Sequence, residues 1–319
     1  MTNIISKLSL IASLIFTTSA FAGGGSPAPV DNFKPLNTYG TNRPFDQYAW
    51  LTAHNAFASD DYGWTHRMQS MDIPDMLDVG TRGLMLDIHN SNGGIYLCHS
   101  SCARDGLRGP LLWKSMLSFT WSLNTVGDWL NKHPNEVVTL ILEDYISDRN
   151  QFNAAITASN YEHMIFDAEG QDVNTTSNSW PTLQQMINSN KRIVILTSKS
   201  NNGHSPYASH EWKYTVGNTY NIGVPGFTRD YSCTNRGESS ALNTAAAGGS
   251  NPHKMFVFNH FRSTPEYFSA TGDNKDVLSR WQNYCNSVGA PLPNFVSVDY
   301  VERGNPLSAV NEFNRRWAQ

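Results

Sequence analysis

Short apolar runs recur along this chain, and the segments between them carry their apolar positions at helical spacing. Strands are predicted at 49–53, 83–88, 95–98, 137–142, 193–197, 255–258 and 295–298, where Val, Ile, Leu and Phe crowd between turn-forming residues. Several of these runs are apolar at consecutive positions, as strands are when helices cover a sheet outside and side chains fill it inside. Between them, 116–132 brings Leu117, Val126, Trp129 and Leu130 to one helical face. Pro181 and Pro306 open further helices at 182–188 and 307–317, since proline suits a first helical turn. Strands alternating with helices predict an α/β fold around a mostly parallel sheet. The length fits one α/β barrel of roughly 250 residues or two modest domains.

Three stretches depart from that alternation. In residues 1–22 the only charge is Lys7, an apolar run covers 8–16, and Ala20-Phe21-Ala22 is a small-residue cleavage pattern. This reads as a signal peptide, because the run is shorter than the roughly 20 apolar residues that span a bilayer. The chain is therefore expected to be exported, to the periplasm or the medium, and to begin near Gly23. Residues 23–37, rich in Gly, Pro and Asn, form a flexible lead-in, and 38–319 is left for the folded body. Within that body, 200–252 is rich in Gly, Ser, Asn and Thr, shows little apolar periodicity, and is expected to be a long loop or insertion.

The net charge of -4 and pI near 6.2 provide no basic face, so nucleic acid is excluded as a partner, and an anionic substrate must be met locally. No segment after the signal is long and apolar enough to span a membrane. The four cysteines are expected to pair as Cys98 with Cys102 and Cys233 with Cys285, which export permits. A zinc site is the rival, but the single CxxxC has no second close pair.

Polar groups follow nearly every strand: His54-Asn55, Asp87 and His89, His99, Glu143-Asp144, Ser198-Lys199, Asn259-His260 and Asp299. In a barrel those strand ends share the C-terminal face, where active sites are built. A lone histidine there is more often structural, but His54 and His99 come with carboxylates. Two histidines on one face suit displacement at phosphorus, one taking a proton from the attacking oxygen and the other giving one to the leaving oxygen. Asp299 is placed to orient one of them. Asp144 is expected to brace a loop, because neighbours on a strand point to opposite faces. The GxSxG motif is absent.

The blocks LTAHNAF, GTRGLMLDIHNSNGGIYLCHSSC, HPNEVVTLILEDY, WPTLQQMI, KRIVIL and NFVSVDYVERG, in that order, resemble the phosphatidylinositol-specific phospholipase C X-domain family, particularly its secreted microbial phosphodiesterases. The resemblance implies a single-domain TIM-type (β/α) barrel, distorted or incomplete, that cleaves a phospholipid at a membrane surface through a cyclic inositol phosphate. It implies His54 as general base, His99 as general acid and Asp299 as the partner of His54.

Calcium-dependent members carry ligands at places matched here by Asn55, Asp87 and Glu143, with His89 a further candidate, so a divalent cation is expected, calcium before magnesium. Met85 stands where another acid would be, while the metal-free pattern of an arginine at 89 and a lysine at 143 is also absent. Ser198 and Lys199 are the substrate-binding candidates, and Tyr62, Trp64 and Trp113 are candidates for touching a lipid interface. Two rivals are carried: a barrel phosphodiesterase acting on glycerophosphodiesters or sphingolipids, and a binding protein of the same fold without turnover.

Overall fold

A parallel sheet curls around an apolar plug, and its strand order puts the first and last strands of the chain side by side. The computed structural model describes residues 39–319 apart from 65, 100, 101, 103–116, 174–178, 201–204, 224–228 and 246–253. The signal peptide and lead-in expected over 1–37, together with Trp113, lie outside the described residues. The strands are β1 Trp50–Ala53, β2 Thr81–Ser91, β3 Gly94–Leu97, β4 Val138–Asp144, β5 Ile165–Phe166, β6 Ile193–Thr197, β7 Ser209–His210, β8 Thr215–Gly217, β9 Met255–Asn259 and β10 Phe295–Val298. All seven predicted strands are present. The three that were missed, β5, β7 and β8, are two or three residues long, too short to show a period.

The sheet runs β5-β6-β4-β2-β1-β10-β9-β8, with β7 beside β6 and every pair parallel except the β2–β3 hairpin. That hairpin turns at Asn92-Gly93, both at positive φ, which two-residue hairpin loops require. Gly83 lies opposite Thr52, and a Cβ there would sit 2.3 Å from the Thr52 hydroxyl oxygen. Among the described residues no strand pairing joins β7 to β8. The barrel is incomplete, and the four-residue helix Glu211–Tyr214 stands between these two strands in the chain.

Successive residues of each strand go to different clusters, as a pleat demands. Trp50, Ile141, Val194, Leu196, Met255, Val257 and Phe295 fill one cluster, the plug inside the curl. Leu51, Leu140, Leu142, Ile195, Phe256, Phe258 and Val296 join the other. The helices Phe119–Lys132 and Pro306–Trp317 press Leu123, Val126, Leu130, Val310 and Phe313 onto that second cluster. Pro306 opens its helix as predicted, whereas at the other site Pro181 lies before Thr182, which is the N-cap of a capping box with Gln185. The disulfides are Cys98–Cys102 and Cys233–Cys285. No helix among the described residues is long and apolar enough to cross a membrane.

The segment 200–252 is not simply a loop. Its described parts hold β7, the helix Glu211–Tyr214 and β8, and β8 pairs with β9. Its polar composition concealed this, because hydrogen bonds rather than apolar contacts do much of the anchoring: Asn218 and Asn259 exchange bonds between amide and backbone at 2.8–3.0 Å.

The last helix is tied to β1 by one side chain. Buried Asn314 accepts from the Ala49 N–H at 2.9 Å and donates to the Ala49 carbonyl at 2.8 Å. Replacing Asn314 by Leu leaves both backbone groups buried and unpaired, at about 1–3 kcal/mol each. Urea unfolding of Asn314→Leu is expected to show a loss of roughly 2–6 kcal/mol. A change within about 0.5 kcal/mol, ordinary for a surface substitution, would refute the tie.

Candidate active site

At the carboxyl ends of the strands the sheet opens into a cavity of about 450 Å³. Its lining includes His54, Asn55, Asp87, His99, Glu143 and Ser198, six of the sequence-predicted site residues. Alternation explains the wall between β2 and β4: Met85 and Asp87 on β2 and their register partners Ile141 and Glu143 on β4 all reach the cavity.

His54 is delivered by the pairing of β1 with β10. The register carries Ala53 opposite Val298, the His54 N–H donates to the Val298 carbonyl at 3.0 Å, and Asp299 is the next residue of the other strand. His54 Nδ1 then lies 2.8 Å from Asp299 Oδ1. With the carboxylate accepting, the Nδ1 proton is held and the Nε2 lone pair is left for another partner. Burial raises the Asp299 carboxyl above its usual range, and the His54 charge and hydrogen bond draw it back down. The buried Gln69 amide stitches the two strand ends together, donating to the His54 carbonyl at 2.8 Å and the Val298 carbonyl at 3.1 Å while accepting from the Val301 N–H.

His99 follows β3 and reaches the same cavity, next to Cys98, which is disulfide-bonded to Cys102. Asn55 takes a left-handed backbone, φ 43°, as asparagine tolerates. The chain then folds back so that the Ala56 N–H meets the Met85 carbonyl and the Ala58 N–H the Asn55 carbonyl. Asn55, Asp87 and Glu143 thus share one cavity, and their oxygens are the hard donors that calcium or magnesium takes. Among the described residues no three His, Cys, Asp or Glu side chains converge as a ready-made metal cluster, so water and substrate oxygens would have to complete the coordination.

Four sequence-predicted side chains stand elsewhere. His89 is outside the cavity lining; its ring stacks on Tyr145 at 4.2 Å and burial lowers its pKa. The Lys199 ammonium donates to the Ile146 carbonyl at 2.8 Å and does not line the cavity, because neighbours leaving a strand diverge and Ser198 takes the inward place. Trp64 is buried, edge-on to Phe57, and Tyr62 is half-buried, edge-on to Trp121 with its hydroxyl accepting from the Ile73 N–H; neither lines the cavity. Asp144 braces the loop, paired bidentately with Arg149 and bonded to Thr197.

The cavity also contains residues that sequence reasoning missed. Glu211, Tyr220 and Arg236 come from the segment 200–252, and Tyr145, Phe261 and Arg262 from strand ends. Burial pushes the Glu211 carboxyl up to about 7 against the pull of Arg236. Tyr145 and Tyr220, 52% and 43% exposed, are the large aromatic side chains at the cavity that face solvent. A signal for Phe261 and Arg262 was available, since they follow β9 as His54 follows β1; Glu211 and Arg236 had none, lying in a stretch without periodicity.

The model of the PI-PLC X family matches residues 41–314. A PI-PLC X domain-containing protein of Arabidopsis thaliana is 29% identical over 307 residues, covering 88% of this chain and 66% of its own, so the chain spans just under two thirds of that relative. PI-PLC X domain-containing protein 1 of Arthroderma benhamiae is 26% identical over 289 residues, covering 86% of each. An uncharacterized secreted protein of the same fungus is 32% identical over 194 residues, covering 59% of this chain and 40% of its own. Among solved structures, the phosphatidylinositol-specific phospholipase C from Listeria monocytogenes aligns with a TM-score of 0.52 at 14% identity, covering 86% of this chain and 95% of that one, a likeness of fold.

Behind the cavity sits a buried brace. Asn259-His260, expected among the polar strand ends of the site, lie outside the cavity lining. The Arg262 guanidinium grips Asp273 at 2.5 and 2.8 Å, Arg229 joins Asp273 at 2.8 Å, and His260 Nε2 donates to the Asp273 carbonyl. Burial, reinforced by the Arg280 guanidinium, pushes His260 from 6.5 down to about 3. The folded pKa is below the unfolded one, so the unfolded chain binds this proton first. The contribution of His260 is intact above about 6.5 and is lost as the pH falls towards about 3. Unfolding free energies of wild type and His260→Gln, measured from pH 7 to pH 4 on the order of half-unit steps, are expected to differ by an amount that shrinks with acidity. A pH-independent difference would show that the imidazole is not held neutral.

Proposed function

The chain belongs to the PI-PLC X family, and from that premise we propose that it is an exported phosphodiesterase that cleaves the phosphodiester of phosphatidylinositol or a related lipid. The observation that carries the reading is the hydrogen bond of His54 Nδ1 with Asp299 on a cavity whose lining also includes His99. A substrate hydroxyl beside the phosphorus is the nucleophile, so the protein needs none of its own. His54 Nε2 takes the hydroxyl proton, and the imidazolium that forms is stabilised by Asp299. His99 gives a proton to the departing diacylglycerol oxygen, releasing a cyclic inositol phosphate that water can open.

Asn55, Asp87 and Glu143 would hold a divalent cation, calcium first, which when bound neutralises phosphate charge as a Lewis acid. The exposed phenols of Tyr145 and Tyr220 suit the headgroup region of a membrane, where one end of the ring is wet and the other apolar. Export is supported by the two disulfides and by the name of the Arthroderma secreted protein.

Phosphorus NMR of the purified protein with phosphatidylinositol vesicles, run with added calcium and with a chelator, is expected to show a cyclic inositol phosphate resonance that the chelator diminishes. No turnover in either condition would overturn the reading. His54→Ala and His99→Ala are each expected to lower kcat by about 10²–10⁴-fold with the fold intact. The double variant should lose little more than either alone, because the two act in one proton transfer sequence.

A further inference from the structure

The His54 imidazole is held from two directions. In its own plane, Nδ1 is bonded to Asp299 Oδ1 at 2.8 Å. Against its face lies Phe261, ring centroids 3.6 Å apart and planes within 8° of parallel. Tyr220 lies parallel to Phe261 in turn, at 5.4 Å and 8°, carrying the stack to the solvent edge of the cavity. The two kinds of contact restrain different motions. A single in-plane hydrogen bond leaves the ring free to rock about the line through Nδ1, and rocking swings Nε2 out of line with a reacting hydroxyl. A flat surface at van der Waals distance blocks that motion.

The stack is built, not incidental. Phe261 is 6% exposed. Its backbone carbonyl accepts from the Ile222 N–H, and residue 261 bridges Asn221, so the strand end after β9 and the segment after β8 advance together. The reciprocal bonds of Asn218 and Asn259 fasten the two segments three residues before Asn221 and two before Phe261. Phe261 also lines the cavity, as His54 does.

We propose that Phe261, backed by Tyr220, is a positioning residue that fixes the plane of the His54 imidazole and thereby aims Nε2 at the substrate hydroxyl. The inference rests on the reading of His54 as general base. It gives the segment 200–252 a part in the reaction, because removing Tyr220 unsupports a ring that touches the base.

The test compares Phe261→Leu, which keeps an apolar side chain but has no flat face, with Phe261→Tyr, which keeps the ring. Two readouts are taken: kcat and KM on phosphatidylinositol vesicles, and the carbon-bound proton shifts of the His54 imidazole by NMR, assigned with His54→Ala. In wild type and Phe261→Tyr the stacked ring current should move those protons upfield. In Phe261→Leu the upfield shift should vanish and kcat should fall by about 10- to 100-fold, the scale of a misaligned catalytic group, with KM little changed. Tyr220→Leu, at an exposed position, should give a smaller fall in kcat and a partial loss of the shift, and it serves if Phe261→Leu does not fold. Wild-type kcat in a folded Phe261→Leu, or an imidazole without the upfield shift in wild type, overturns the proposal. Absence of turnover in wild type itself would overturn the phosphodiesterase reading while the NMR comparison still decides whether Phe261 orients the ring.

Discussion

The parallel pairing of β1 with β10 is the contact on which the site depends. Residues 54 and 299 are 245 positions apart, yet one extra step along a shared register, from Ala53–Val298 to the next residue of each strand, puts a histidine beside a carboxylate. The pairing is overdetermined at both ends. Buried Asn294 accepts from the Phe256 N–H and donates to the carbonyls of Asp46 and Tyr48 below the strands, and Gln69 ties the two chains together above them. A slip of one residue would turn every side chain of β1 to the other face of the sheet. It would take Trp50 out of the plug and His54 away from Asp299 in the same movement, so packing and chemistry select the same register.

The incomplete closure of the sheet has a comparable importance at the other side of the cavity. Among the described residues no hydrogen bonds join β7 to β8. Instead the chain runs through the short helix Glu211–Tyr214, whose two end residues are buried: Tyr214 in the plug and Glu211 on the cavity wall. The same segment sends Tyr220 over Phe261 and Arg236 to the wall, and Cys233–Cys285 fastens it three residues before Arg236. What reads as an insertion supplies one wall of the site. Behind it, the brace of Arg262, Asp273, Arg229 and His260 supports the strand end that carries Phe261, and the backbone of Arg262 also bonds Asp299.

The alternation of apolar runs and helical faces was enough to read the α/β class, the seven longer strands, and the location of the polar residues at one end of them. It was enough because a parallel sheet covered on both sides leaves a strong, local, one-dimensional trace: consecutive apolar residues, then a break, then a polar group. His54, His99, Asp87, Glu143 and Ser198 were legible for that reason. The cysteine pairing expected from the closeness of Cys98 to Cys102 and from export is the one found.

Other features left no such trace. Lys199 and Ser198 are neighbours in the chain, and only the twist of the strand end decides which of them enters the cavity. Asn259-His260 look like site residues from the sequence, but their partners, Asn218 and Asp273, make them structural, and nothing local announces partners 41 and 13 residues away. Glu211, Tyr220 and Arg236 reach the site by short strands and amide bonds whose period is too brief to detect. The sequence by itself determined which segments would be strands and which strand ends would carry chemistry, since those depend on the order of apolar and polar residues. Only the tertiary structure decided which side chains converge, because the register between distant strands and the closure of the last wall depend on contacts that have no image along the chain.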